Sequence, residues 1–297
     1  MSAPAPGHAD RLSQPPPPRH DQVTVGDVDL RVLRAGDAGD FVVFVHGNPG
    51  SADDWAGPMA AIAGFAQAVA FDLPDFGTTS APPDFDHSVA AYADFIQHAL
   101  RVLGIQRTHL VLHDFGGPIG LAWAAAHPNA VASVTLIDTG VLPDYRWHPL
   151  ARLWRTPIAG EIFQASATRP TFRWLINFQE PRPLRRTFLD RMYDHFDRRT
   201  RRAVLRLYRA TDDPSEMTRE LIGRLRPLDL PALVIWGEHD AYLPASYAAR
   251  QRDAFPDAEV HVLAGSGHWP FIDAAPTVDR LLTDFLRPAR EPDSAPE

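Results

Sequence analysis

Short apolar runs recur along the chain, each too short for a helix and each bounded by turn residues. FVVFV at Phe41–Val45 ends in His46-Gly47, and residues 68–71 lead into Asp72-Leu73-Pro74. Both patterns predict buried strands. Four more strands are predicted at 108–112, 134–137, 232–236 and Glu259–Leu263. Helical spacing falls between them, at 88–103, where Gly104 supplies a stop signal, and at 119–126. Strands alternating with helices predict βαβ units and a mostly parallel sheet with helices on its faces.

The alternation stops between residues 142 and 226. No strand-like run occurs there, and the segment is rich in aromatics and arginine, with a helical run at Arg198–Ala210. It holds 18 Arg against 10 acidic residues, while the remainder holds 11 against 27. We therefore expect a sheet-and-helix core at 21–141 and 227–287, and a helical cap at 142–226 inserted after the sixth strand. No internal repeat is present.

The 29 basic residues are all Arg, and there is no Cys among the 297 residues. This excludes a disulfide framework, a thiolate metal site, a Cys nucleophile, a P-loop lysine and a Schiff-base lysine. A net charge of −8 argues against a general nucleic-acid surface. Residues 1–20 carry Pro4, Pro6 and the proline run 15–18 without an apolar core, so they read as a disordered or polyproline tail rather than a signal peptide. Residues 288–297 also read as a disordered tail. No run of 18 apolar residues exists, so no membrane span is expected. A cytoplasmic location is expected, and the oligomeric state is left open.

The most informative segment is Leu110-Val-Leu-His-Asp-Phe-Gly-Gly117, an apolar strand running through a glycine-bearing turn into a helix. That is the setting of a nucleophile elbow, where a tight turn forces one side chain above the sheet edge. Asp114 occupies the nucleophile position, and Leu112 stands where a small residue is usual. At this point the chain resembles the Asp-nucleophile branch of the α/β-hydrolase superfamily, over residues 22–287. Three further segments match in order: His46-Gly-Asn-Pro49 at the oxyanion-hole loop, Gly237-Glu-His-Asp240 at the acid, and Gly265-Ser-Gly-His-Trp-Pro270 at the histidine. The resemblance implies an α/β-hydrolase fold with Asp114, His268 and Asp240 as catalytic residues, and the backbone N–H groups of Asn48 and Phe115 as the oxyanion hole. No metal constellation and no cofactor motif accompanies them, so none is expected.

An Asp nucleophile suits attack on a saturated carbon, giving an alkyl ester that water then cleaves. The partner is then expected to be a small apolar organic substrate with a leaving group, together with water. In this branch the resemblance implies an epoxide hydrolase, with a haloalkane dehalogenase as the alternative. A diverged ester or lactone hydrolase, or a non-catalytic ligand-binding relative, is a further alternative. Epoxide hydrolases use two cap tyrosines as donors, and dehalogenases use indole and Asn N–H groups. Here Leu207-Tyr208-Arg209 resembles the segment of one cap tyrosine, and Trp174 stands at the position of the other. Asn48 matches the dehalogenase pattern, but Phe115 lacks the indole N–H expected after the nucleophile. Tyr208, Trp174 and Asn48 are therefore the expected leaving-group and substrate contacts, with Tyr145 and Tyr193 as rivals.

Asp138, just after the sixth strand, is a rival acid but is expected to be a turn residue. Asp72 and Asp75 are expected to hold a turn, His113 and His239 to pack beside the site, and the arginines of 198–209 to form a solvated face paired with Asp194, Asp197 and Asp212.

Overall fold

A computed structural model of the protein describes residues 17–287. Eight strands form one sheet: β1 (Arg19–Val25), β2 (Val28–Ala35), β3 (Phe41–Val45), β4 (Gln67–Phe71), β5 (Thr108–His113), β6 (Val131–Ile137), β7 (Ala232–Gly237) and β8 (Glu259–Leu263). Their spatial order is β1-β2-β4-β3-β5-β6-β7-β8. β2 runs antiparallel to both neighbours, and every other pairing beyond it is parallel. The six predicted strands are all present, each within a few residues of its expected limits. The hairpin β1–β2 lies outside the predicted set because β1 (RHDQVTV) is a polar, mostly exposed edge with no apolar run. Arg19 and His20 begin β1, so the expected N-terminal tail is two residues shorter than drawn. Residues 1–16 and 288–297, where the two tails are expected, lie outside the described residues.

Burial follows position in the sheet. Every residue of β7 is buried, whereas β8, on the edge, is half-exposed. β-branched and aromatic side chains fill the central strands because both faces are covered. The flanking helices are α1 (Ala56–Ile62), α2 (Val89–Val102), α3 (Gly116–Ala126) and, after a long excursion, α9 (Pro214–Leu225), α10 (Ser246–Arg250), α11 (Pro270–Asp273) and α12 (Ala275–Leu286). α1 packs on α12, while α3 packs on both α2 and α9. The Ser88 hydroxyl caps α2 by accepting from the Ala91 N–H, and Gly104 beyond its end adopts a φ of +73°.

Between β6 and β7 lie α4 (Pro149–Arg155), α5 (Ala159–Ser166), α6 (Arg169–Gln179), α7 (Arg186–Asp194), α8 (Arg198–Ala210) and α9, with no strand. α4, α5 and α8 pack together, and α6 packs on α7. α8 buries Val204, Leu205, Leu207 and Tyr208. Arg198, Arg202 and Arg206 form an exposed face as expected, while the other three arginines are tied down. Arg199 reaches Asp75, Asp197 and the Gly77 carbonyl, Arg201 donates to three carbonyls, and Arg209 pairs with Glu161. Asp194 pairs instead with Arg169, and Asp212 with Arg155. Short loops bring these distant groups together, which spacing along one helix does not show. Among the described residues no helix is long and apolar enough to cross a membrane.

Candidate active site

Asp114 sits at the tight turn between β5 and α3 with a φ of +47°. The turn is closed by small neighbours. A Cβ on Gly47 would come within 2.4 Å of Asp114 Cβ, so the β3 loop approaches only because that side chain is absent. Leu112 is accommodated in the same way: a Cβ on Gly120 of α3 would lie 2.4 Å from its Cδ2. The bulk that departs from the usual pattern is offset by a glycine one helical turn beyond the elbow.

The Asn48 backbone N–H donates to Asp114 Oδ1 at 2.6 Å, and His268 Nε2 lies 3.6 Å from Oδ2. On its other side, His268 Nδ1 is 2.7 Å from Asp240 Oδ2. Asp240 Oδ1 accepts from the Tyr242 and Leu243 N–H groups at 2.7 and 2.9 Å. The loops after β3, β5, β7 and β8 thus bring together the residues spaced across the sequence, at the carboxyl ends of the strands where open parallel sheets place their sites.

The electrostatics are those of an ion pair flanked by a second carboxylate. Burial opposes charge on Asp114, but His268 outweighs it and holds the carboxyl below the usual carboxylate range. Burial likewise opposes charge on His268, yet Asp240 and Asp114 raise it well above its ordinary value. Asp240 is held low against burial by His268 and by its two backbone N–H donors. Asp138 goes the other way, pushed well up by burial and then by the charge of Asp240. It follows β6 with a φ of +45°, and its Oδ1 accepts from the Gly237 N–H at 2.9 Å.

Asp138, Asp240 and His268 are the one grouping of metal-type ligands among the described residues; Asp240 is engaged with His268, and Asp138 accepts from the Gly237 N–H through Oδ1 while its Oδ2 is buried without a partner. His113 is buried, pushed down to about 3, and bonded to the His268 carbonyl, so it holds the histidine loop. His239 is exposed beside Glu238. Asp72 and Asp75 accept loop N–H groups from Ala52, Thr78 and Ala81.

The sequence model of the alpha/beta hydrolase fold family matches residues 40–275. The chain belongs to that family. Its membership sets the class, a hydrolase. A 2-hydroxy-6-oxononadienedioate/2-hydroxy-6-oxononatrienedioate hydrolase of Paraburkholderia phymatum is 27% identical, over 89% of this chain and 93% of that one. Two solved structures share the fold. One is haloalkane dehalogenase DatA from Agrobacterium tumefaciens C58, as a mutant, at TM-score 0.79 and 22% identity, over 91% of this chain and 96% of that one. The other is an epoxide hydrolase from Vigna radiata at TM-score 0.76 and 19% identity, over 93% and 99%.

Above Asp114 this hydrolase has a cavity of about 210 Å³. Tyr208, buried on α8, lines it, with its ring 4.9 Å from Phe115. Burial and the Asp114 charge push the Tyr208 phenol well up, so it is neutral. The Asn48 side-chain amide is buried without a partner. Trp174 lines the outer end of the cavity. It is 63% exposed and stacks on Phe178 at the mouth of the cavity. The buried stripe of α6 is Phe172 and Ile176, and a residue two positions after Phe172 points some 200° away from it. Tyr193 is turned to the Ala167 carbonyl.

Two residues that sequence reasoning missed also line the cavity. His148 caps α4: its Nδ1 accepts from the Ala151 N–H, which leaves the proton on Nε2. Burial pushes it down to about 4, so it is a neutral N–H donor. Tyr242 lies with its ring 4.8 Å from His268 and its hydroxyl bonded to Gln179. The His-Pro pair at 148–149 is a helix-start signal that could have drawn attention to the first.

Proposed function

We propose that the protein is an Asp-nucleophile hydrolase that opens epoxides to diols through an alkyl ester on Asp114. The observation that carries this reading is an ionised Asp114 carboxylate set between the Asn48 N–H and His268 Nε2. The residues are read as a triad of Asp114, His268 and Asp240, under a cap formed by the helices after β6. Because α9 packs on α3, we draw that cap as 142–213 rather than 142–226.

Oδ2 attacks an epoxide carbon and the C–O bond breaks. The oxygen left behind takes a proton from the Tyr208 hydroxyl, with His148 Nε2–H as a second donor. Oδ1, already held by the Asn48 N–H, becomes the ester carbonyl oxygen. Water then loses a proton to His268 Nε2 as it adds to the ester carbon, and the oxyanion stays on the Asn48 and Phe115 N–H groups. The proton that His268 first carries passes to the Tyr208 phenolate once Asp114 is esterified, which frees Nε2 for the water proton; on collapse the new carboxyl proton goes to the departing alkoxide, so the diol leaves and the Asp114 carboxylate, the Tyr208 phenol and protonated His268 are restored.

The charges change in step with the chemistry. While Asp114 is ionised, it keeps His268 protonated and therefore useless as a base. Esterification removes that charge, so His268 falls towards the neutral form just when a base is needed. The same loss of charge makes the Tyr208 phenol a better acid. Asp240 keeps the imidazole oriented throughout.

Bromoalkane hydrolysis is the second reading, favoured by the unpartnered Asn48 amide beside the nucleophile. The experiment offers styrene oxide and 1-bromobutane to the protein and to His268→Gln, with intact-mass and peptide analysis. Diol from the first and a mass gain on the Asp114 peptide equal to styrene oxide support the proposal. Bromide release without diol supports the second reading. A wild-type rate from Asp114→Ala overturns both.

A further inference from the structure

Asp114 stands where two cavities meet. The larger rises beneath the cap and ends at Trp174. A second, of about 50 Å³, extends between Phe115, Leu142, Trp147, Met217 and Leu243, below the loop that leads from β6 to α4. The two share Asp114, His148, Tyr208 and Tyr242, so the nucleophile and the proposed proton donors line the junction. A substrate held there has its reacting carbons at the junction and one substituent on each side.

The second chamber suits an apolar group rather than water or an ion. Its walls are mainly aromatic and aliphatic. The threonine hydroxyls within it are spent on backbone carbonyls: Thr139 on Asp114, Thr211 on Leu207 and Thr218 on Ser215. The Trp147 indole N–H, which has no partner, and the Tyr145 hydroxyl also line the chamber, and away from these two and the shared site groups its wall offers ordered water little to bond. The volume corresponds to roughly three or four water-sized groups, which is an ethyl or propyl arm together with the ring carbon that bears it. The cap cavity is about four times larger and takes the longer arm.

We propose that the substrate is an internal, 1,2-disubstituted apolar epoxide with one long and one short arm, the short arm lying in the chamber beside Phe115 and Met217. This rests on the epoxide reading above and adds the substrate class. A terminal epoxide leaves the chamber empty. Each methylene moved into it is worth roughly fourfold in kcat/KM, so an ethyl arm should gain roughly 15-fold over none.

The test uses 1,2-epoxyoctane and the trans forms of 2,3-, 3,4- and 4,5-epoxyoctane, which hold carbon count constant while the ring moves along the chain. The wild-type kcat/KM should rise from the 1,2- to the 3,4-isomer. Met217→Trp, which fills the chamber, should return the maximum to the 1,2-isomer. Met217→Ala, which enlarges it, should move the maximum towards the 4,5-isomer, so a Met217→Trp chain that fails to fold leaves the idea testable. A wild-type maximum at the 1,2-isomer, or the same order of isomers in both folded variants, overturns the chamber assignment. Absence of any Asp114 adduct in His268→Gln with every isomer overturns the epoxide reading itself. Adducts with the 1,2-isomer alone overturn only the chamber.

Discussion

Replacing Asp240 by Asn preserves the side chain's shape and removes its charge. Asp240 Oδ2 lies 2.7 Å from His268 Nδ1 in a position closed to solvent. With charge centres roughly 4 Å apart and an effective dielectric near 20, the attraction is about 4 kcal/mol. That corresponds to a fall of roughly 3 in the imidazole pKa. An Asn can also turn its amide N–H towards Nδ1, which places the proton on Nε2, the atom that must accept one from water. Both effects fall on ester hydrolysis, and the expected loss is roughly 10³–10⁴-fold. Alkylation of Asp114 should suffer less, so rapid quenching followed by intact-mass analysis should show the ester accumulating in one turnover. Asp138→Asn is the paired measurement. Burial and Asp240 already disfavour charge on Asp138, so Asn is a small electrostatic change there, keeps the acceptor for Gly237 and tolerates the left-handed backbone. Its turnover should stay close to wild type. If Asp138→Asn stalls at the ester while Asp240→Asn turns over normally, the assignment of the acid is refuted.

Tyr208→Phe removes one donor and keeps the packing against Phe115 and Trp154. Single-turnover alkylation should slow by roughly 10–1000-fold, with hydrolysis of the preformed ester changed far less; an unchanged alkylation rate would make Tyr208 a packing residue. Glu180 offers a pH test. Its Oε1 accepts from the His268 N–H, its Oε2 is buried without a partner, and burial pushes it from 4.5 up to about 7. The fold therefore holds a proton that the unfolded chain has released above its own pKa. That stability is fully present below about pH 4.5 and is lost as pH rises through 7, about 3 kcal/mol in all. Glu180→Gln keeps the acceptor and abolishes the loss, so its Tm should exceed wild type more at about pH 8 than at about pH 5. Equal gaps at both would show that Glu180 titrates normally.

The strands and the placement of Asp114, Asp240 and His268 on the loops that follow them were legible in sequence because their determinants are local. Five apolar residues ending in His-Gly leave little besides a buried strand and a turn. Asp114 is raised into view by the glycines beside it, whatever the cap does. Histidine and acid could be placed by chain order, since each follows its own strand directly. Asp240 rather than Asp138 was also the sequence reading, and the structure supplies a reason for it: Asp240 receives two backbone N–H groups and an imidazole, and Asp138 receives one N–H.

The cap was legible as helical and basic, but not in its consequences. Tyr208 and Trp174 were both candidates as letters, Tyr208 the stronger as a donor. The rotation of α8 and α6 about their axes separates them, and that rotation is chosen by which stripe of each helix buries more apolar surface against its neighbours. Val204, Leu205 and Leu207 turn Tyr208 inward; Phe172 and Ile176 turn Trp174 out. His148 and Tyr242 come from loops 94 residues apart in the chain and meet with rings 5.2 Å apart. The chamber beside Phe115 is bounded by the loops that follow β5, β6 and β7 and by α3, α8 and α9, and belongs to none of them. A motif records how a backbone turns over a few residues, so the sequence carried it. A cavity is the space left when distant segments pack, so only the tertiary structure could decide it.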